Sequence, residues 1–280
     1  MEKSKERLEV LNRINEFEKE KKFDIDVEND LPAKPLEANE VDYLNKKLTS
    51  KINTKIANYI ARKFIDKLIK NENMIIKEVL GLDNLSNLDT GFIITCNHFN
   101  PYDNFALHEV LKTYLKKTKK RFYKVIKEGN YSFKGLYGYF FRHCNTLPLS
   151  SNYNTMKNFN HAIDTILKRG DIVLIYPEQA MWWNYRKPRP HRVGASFYAA
   201  KNNVPIISYF ITMEDGSKKD ELGDPIQKYT VHILPLIYPD DSKTIKENEE
   251  EMTRKNYEAW VKVYEETYQT KLTYLCDENK

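Results

Sequence analysis

Gly91-Phe92-Ile93-Ile94-Thr95-Cys96-Asn97-His98-Phe99-Asn100-Pro101-Tyr102-Asp103 decides the fold. Its first six residues are β-rich and almost wholly apolar, as in a strand covered on both faces. Pro101 then disfavours helix at Asn100, so the chain turns between His98 and Asp103. Helical spacing resumes over 103–117. Ligand and catalytic groups in α/β sheets sit beyond the carboxyl ends of strands, which is where this polar turn falls.

The same alternation continues outward. Further strand-like runs lie at 122–126, 171–176, 204–211 and 229–237, with helical stretches at 154–169 and 192–202 and a charged closing helix at 243–267. This pattern predicts an α/β fold: a central mixed, largely parallel sheet flanked by helices, preceded by an N-terminal helical segment.

Upstream, residues 1–22 carry Leu8, Leu11, Ile14 and Phe17 at helical spacing. Residues 24–40 hold six acids against Lys34, with Pro32 and Pro35, and read as a linker or extended arm. Residues 1–40 are thus expected to be an N-terminal helix with an acidic, proline-containing linker, and 41–280 a single α/β domain. The strongest helix prediction is 41–70, where Leu44, Leu48, Ile52, Ile56, Ile60, Phe64 and Leu68 recur every four residues. Eight Lys/Arg stand against one acid between 44 and 70. A basic amphipathic helix can dock on an anionic membrane or pack on a core with a solvated basic face.

Composition narrows the function classes. The chain has 280 residues, long enough for a core without disulfides or structural metal. No apolar run approaches the ~18 residues of a spanning helix, and the start, MEKSKERLEV, has no apolar signal region. Cys96, Cys144 and Cys276 are a sparse, odd set with no CxxC, which fits a reducing cytoplasm. The net charge is only +5, and no nucleic-acid module is recognisable, so no nucleic-acid partner is expected.

Two stretches bear chemistry. In the first, Asp103 can reach the His98 ring, accept the Nδ1 proton and leave Nε2 as a base near neutral pH. Asp103 as a helix cap beside a chance histidine is the alternative reading of that spacing. Cys96 as a nucleophile and a His98–Asp103–His108 metal site are weaker readings, since the spacing matches no helical ligand pair. In the second, Tyr176, Pro177 and Glu178 follow a strand. Trp182, Trp183 and Tyr185 come next, then Arg186, Lys187, Arg189 and Arg192, a composition suited to an anionic, partly apolar partner or to a solvated basic loop. Lys116, Lys117, Lys119, Lys120 and Arg121 close a helix and complement its C-terminus.

Taken together, these blocks resemble the glycerophospholipid acyltransferase family, specifically the 1-acylglycerol-3-phosphate acyltransferases. Asn97, His98 and Asp103 match its Asn-His, four residues, Asp signature. Arg142 to Ser151 resembles its second block, Tyr176-Pro177-Glu178-Gln179-Ala180-Met181 its Phe-Pro-Glu-Gly-Thr-Arg, and Val204-Pro205-Ile206-Ile207-Ser208 its Val-Pro-Ile-Val-Pro. Lys127-Glu128 resembles its Lys-Glu pair, and Arg192-Val193-Gly194-Ala195 its Lys-x-Gly-Ala. The blocks occur in order over residues 91–211.

The resemblance implies O-acyl transfer from acyl-CoA or acyl-carrier protein to a lysophospholipid, foremost 1-acylglycerol-3-phosphate, by a His98–Asp103 dyad. It implies substrate contacts at Asn97, Lys127, Tyr176, Pro177, Glu178, Arg142, Arg186, Arg189, Arg192 and Gly194. No cofactor and no metal are implied, since thioester chemistry needs neither. The implied location is cytoplasmic, peripheral to the inner face of an anionic membrane, with 41–70 and the Trp182–Tyr185 loop as docking candidates. The departures are Ser151 and Met181, which replace the arginines that close blocks two and three and are thought to hold the acceptor's phosphate. An acceptor other than a phosphomonoester is therefore the alternative, and a non-catalytic membrane or nucleic-acid binding protein a second one. A thioesterase or lipase-like hydrolase lacks its Gly-x-Ser-x-Gly elbow.

Overall fold

The computed structural model describes residues 3–29, 34–86 and 88–277; Pro32 of the expected linker lies outside them. Seven strands form one sheet in the order β1-β7-β6-β2-β5-β3-β4. They are β1 (Ile75–Leu80), β2 (Phe92–Thr95), β3 (Phe122–Ile126), β4 (Thr146–Pro148), β5 (Ile172–Ile175), β6 (Ile206–Lys219) and β7 (Pro225–Ile237). Neighbouring pairs are parallel except β6 and β7, which form an antiparallel hairpin. The mixed, mostly parallel sheet expected from the sequence is therefore present.

The helices are α1 (Lys5–Lys19), α2 (Leu48–Lys70), α3 (Asp103–Thr118), α4 (Gly135–His143), α5 (Tyr153–Lys168), α6 (Gly194–Asn202) and α7 (Ile245–Tyr268). Strand side chains alternate between faces with period two. In β2, Phe92 and Ile94 meet Ala106, Leu107 and Leu111 of α3 and Ile65 and Leu68 of α2. Ile93 points the other way, toward Phe159 and Ile163 of α5 and Ala195 and Ala199 of α6. Trp260 of α7 covers Phe210 of β6. Both faces are buried, which is why the strands read as continuous apolar runs. The closing helix starts on a capping box between Thr244 and Glu247.

Three elements went unread in the sequence: β1, β4 and α4. β4 has three residues, and α4 begins Gly-Leu-Tyr-Gly, whose two glycines mask a helical pattern. The helix expected from residue 41 starts at Leu48, because the Asp42 carboxylate accepts from the Lys46 and Lys47 N–H groups and holds a turn there. Its apolar stripe is not one face. A four-residue step overshoots a full turn by about 40°, so five steps rotate the stripe by about 200°. Leu48 is accordingly 72% exposed, Ile52 and Ile56 remain exposed, and Leu68 is 6% exposed in the core. The C-terminal half of α2 packs on the sheet; the N-terminal half presents Leu48, Ile52, Ile56 and Tyr59 to solvent beside Lys51 and Lys55.

α1 is packed on the 180–185 loop. Val10, Ile14 and Val27 enclose Trp182 and Ala180. The Arg7 guanidinium lies 3.5 Å from the Trp183 ring centroid and pairs with Asp224 at 2.9 Å.

Candidate active site

Strands β2, β5 and β3 are parallel neighbours, so their carboxyl ends share one edge of the sheet. Asn97 and His98 leave β2 there, Tyr176 to Glu178 leave β5, and Lys127 leaves β3. Asn97 is buried and prolongs the ladder with its side chain: Nδ2 donates to Ile211 O (3.0 Å) and Oδ1 accepts from Ile211 N (2.8 Å). This fixes the direction in which the chain leaves β2 toward His98.

The turn expected at Asn100-Pro101 is built by Asn100 itself. Its Oδ1 accepts from Tyr102 N at 2.8 Å, and its Nδ2 donates to Asn184 Oδ1 and to the Tyr229 hydroxyl. α3 begins at Asp103, whose carboxylate turns back. Oδ2 lies 2.7 Å from His98 Nδ1 and accepts from Phe99 N at 3.2 Å; Oδ1 accepts from the Tyr176 hydroxyl at 2.6 Å. Asp103 is fully buried, whereas His98 keeps 23% of its side chain exposed. The Tyr176 ring stacks on His98 with centroids 3.9 Å apart and 18° between planes. Burial, and then the Asp103 charge, push the Tyr176 phenol well above its ordinary value, so it stays a donor.

The geometry suits proton transfer. With Nδ1–H held by the carboxylate, the imidazole is a fixed tautomer whose Nε2 can accept a proton. Cys96 behaves differently: it is buried, and burial followed by the charges of Asp103 and Glu178 push its thiol up, away from the nucleophilic thiolate. His108 lies on α3 beside Phe122, away from His98, and burial lowers it to about 3. Among the described residues no three His, Cys, Asp or Glu side chains gather as a metal-ligand set.

Glu178 and Arg189 form a buried brace under His98. Glu178 Oε2 accepts from His98 N (3.0 Å) and from Arg189 Nη2 (2.8 Å), and Oε1 accepts from Arg189 N (2.8 Å). Arg189 also donates to the carbonyls of Phe23, His98 and Ala180, and its guanidinium lies 4.7 Å from the Trp182 ring centroid. Trp182 N donates to His98 O, and Asn184 N to Phe99 O. The 178–189 loop is thereby sewn onto the His98–Asp103 turn. Both side chains were expected to face substrate; the structure points them inward. Trp182, expected at a docking surface, is fully buried beneath α1.

The other expected contacts are spread around the edge. Pro177 O accepts from Arg192 N at 2.8 Å, and Arg192 pairs with Asp24. Lys127 pairs with Asp26 at 3.1 Å. Arg186 donates to Asp215 (2.6 Å) and Gln227 (3.2 Å). Arg142 sits on α4 beside edge strand β4, three strands from β2, in the wall of a cavity of about 970 Å³, and donates to the Tyr131 and Phe133 carbonyls. Gly194 opens α6, where an added Cβ would meet nothing within 4 Å. Gln179, at the glycine position of the third block, holds φ +64°, the left-handed region that favours glycine. Asp24 and Asp26 were not singled out from the sequence. For Asp24 the available signal was charge complementarity between the acidic 24–40 run and the basic 186–192 loop; Asp26 meets Lys127 instead.

The acyltransferase family model matches residues 77–212, which contain the dyad, the brace and the strands that carry them. Among solved structures, the chain is similar to the 1-acyl-sn-glycerophosphate (LPA) acyltransferase PlsC from Thermotoga maritima. Identity is 19% and the TM-score 0.48, over 73% of this chain and 81% of that one. No curated protein matches the chain. Residues 77–212 are thus the part of the chain that matches the acyltransferase family.

Proposed function

We propose that the protein is an O-acyltransferase that moves a fatty acyl group from acyl-CoA or acyl-carrier protein to the hydroxyl of a lysophospholipid. The observation that carries this reading is the 2.7 Å contact between His98 Nδ1 and Asp103 Oδ2, with His98 accessible and Asp103 buried. His98 Nε2 takes the acceptor's hydroxyl proton as that oxygen bonds to the thioester carbonyl carbon. Asp103 holds the tautomer and stabilises the imidazolium. N–H groups of the first turn of α3 face developing negative charge at the positive end of the helix. The C–S bond then breaks, and the leaving thiolate takes the proton from Nε2. Products are the ester and the thiol, and no acyl-enzyme forms. Glu178 and Arg189 hold the His98 backbone, and Asn97 fixes its approach.

Docking at an anionic membrane belongs to the same reading. Among the described residues no helix is long and apolar enough to cross a membrane. The exposed Leu48, Ile52, Ile56 and Tyr59 beside Lys51 and Lys55 support an interfacial contact through the first half of α2. The function is tested with labelled acyl-CoA and acyl-carrier protein on vesicles containing lysolipids. Acyl lysolipid product with free thiol in equal amount is the expected result; no lipid product with either donor contradicts the reading.

A further inference from the structure

The segment that follows α1 lies against the catalytic edge. Phe23 O accepts from Arg189 Nη1 at 2.8 Å, and Ile25 O from Trp182 Nε1 at 2.9 Å. This backbone anchorage delivers two carboxylates to two cations. Asp24 meets Arg192, whose N–H is tied to Pro177, and Asp26 meets Lys127, which follows β3. Both cations stand where the family resemblance places substrate contacts. Both carboxylates come from outside the 77–212 family match.

The rest of the anion-binding equipment is also engaged or replaced. Arg189 is committed to Glu178 and three carbonyls, Arg186 to Asp215, and Arg142 to backbone carbonyls. Ser151, in place of the arginine closing block two, donates to Glu128 Oε1 at 3.2 Å. Met181 replaces the arginine closing block three. A phosphate monoester carries about −1.5 to −2 charge at pH 7 and favours a guanidinium fork. Of these guanidinium groups only Arg192 is left to it at this edge, and Arg192 already pairs with Asp24, one of two added carboxylates.

Resting on the acyl-transfer reading, we propose that Asp24 and Asp26 determine acceptor specificity. With Arg192 and Lys127 they present two positive and two negative groups side by side, a set complementary to a zwitterionic head group. The acceptor is a lysophospholipid whose phosphodiester meets Arg192 and Lys127 and whose ammonium meets Asp24 and Asp26. All four side chains are partly or well exposed, so these pairs are weak and can turn to a ligand.

The test compares lysophosphatidylethanolamine with lysophosphatidate on anionic vesicles of one fixed composition, with one acyl donor, for wild type and the Asp24→Asn/Asp26→Asn double variant. Wild type is expected to favour the zwitterionic acceptor in kcat/KM by about tenfold or more, and the double variant to shift that ratio about tenfold toward lysophosphatidate. One donor serves both arms, so any effect on donor binding or on folding cancels in the ratio. A wild-type preference for lysophosphatidate, or an unchanged ratio in the double variant, overturns the proposal while leaving acyl transfer standing. Transfer to neither acceptor, with acyl-CoA and with acyl-carrier protein in turn as donor, overturns the acyl-transfer reading and this proposal with it.

Discussion

Tyr176 donates its hydroxyl to Asp103 Oδ1 at 2.6 Å while the other carboxylate oxygen holds the His98 ring. Asp103 is therefore shared between a phenol and an imidazole. The related family block has phenylalanine at this place, so the hydroxyl is a feature of this chain. Its donation stabilises the carboxylate charge and so competes with an imidazolium for it. Glu178 and Arg189 also reach His98, but through its backbone N–H and carbonyl. Tyr176→Phe leaves a buried carboxylate oxygen one donor short, a loss of about 1–3 kcal/mol in urea unfolding. It also leaves the carboxylate less firmly held against the His98 ring, so kcat is expected to fall with KM for the acceptor little changed. A variant with wild-type kcat refutes this role for the hydroxyl.

Arg189 is a positioning residue. Its partners are Glu178 and three backbone carbonyls, and it is almost fully buried. Removing one partner of a buried ion pair typically costs about 3–5 kcal/mol, because the other charge is stranded. Arg189→Ala is expected to lose that much stability and to lower kcat through a displaced His98, with KM for the acceptor little changed. A raised KM with kcat and stability preserved would instead make Arg189 a substrate contact.

The fold was legible where strands are covered on both faces and long helices separate them. β2, β3 and β5 read directly from Phe92–Thr95, Phe122–Ile126 and Ile172–Ile175. β1 escaped because Lys77 and Glu78 break its apolar run at a sheet edge, where a strand needs only partial cover. The Pro-containing turn between His98 and Asp103 allowed a dyad or a helix cap, and only the resemblance of the ordered blocks over 91–211 favoured the dyad. The brace was not: Glu178 and Arg189 stand eleven residues apart in a loop, and no periodicity says that their side chains meet beneath His98. The same limit applies to Asp24 and Asp26, whose partners lie 168 and 101 residues away.

Gln179 stores backbone strain next to the brace. A non-glycine residue in the left-handed region costs about 1–2 kcal/mol, against about 0.5–1 kcal/mol of added chain entropy for glycine. Gln179→Gly is therefore expected to gain roughly 0.5–1 kcal/mol in chemical denaturation. A destabilised variant would mean that the Gln179 side chain contributes more than its backbone costs.

The two halves of α2 make separate predictions. Ile52→Asp and Ile56→Asp lie on the exposed half and are expected to abolish sedimentation with anionic vesicles while leaving the unfolding midpoint unchanged. Binding by the wild type should weaken as salt rises. Full vesicle binding by a chain carrying both Ile52→Asp and Ile56→Asp argues against this surface. Leu68→Ala, on the core half, should instead lose about 2–5 kcal/mol of stability.

In the proposed acyl transfer His98 is the base. The most direct test of this role is single-turnover transfer from labelled acyl-CoA to lysolipid by wild type and His98→Ala, each checked for a native circular-dichroism spectrum. Folded His98→Ala is expected to lose about 10²–10⁴ in rate. Wild-type-like transfer by folded His98→Ala would contradict it.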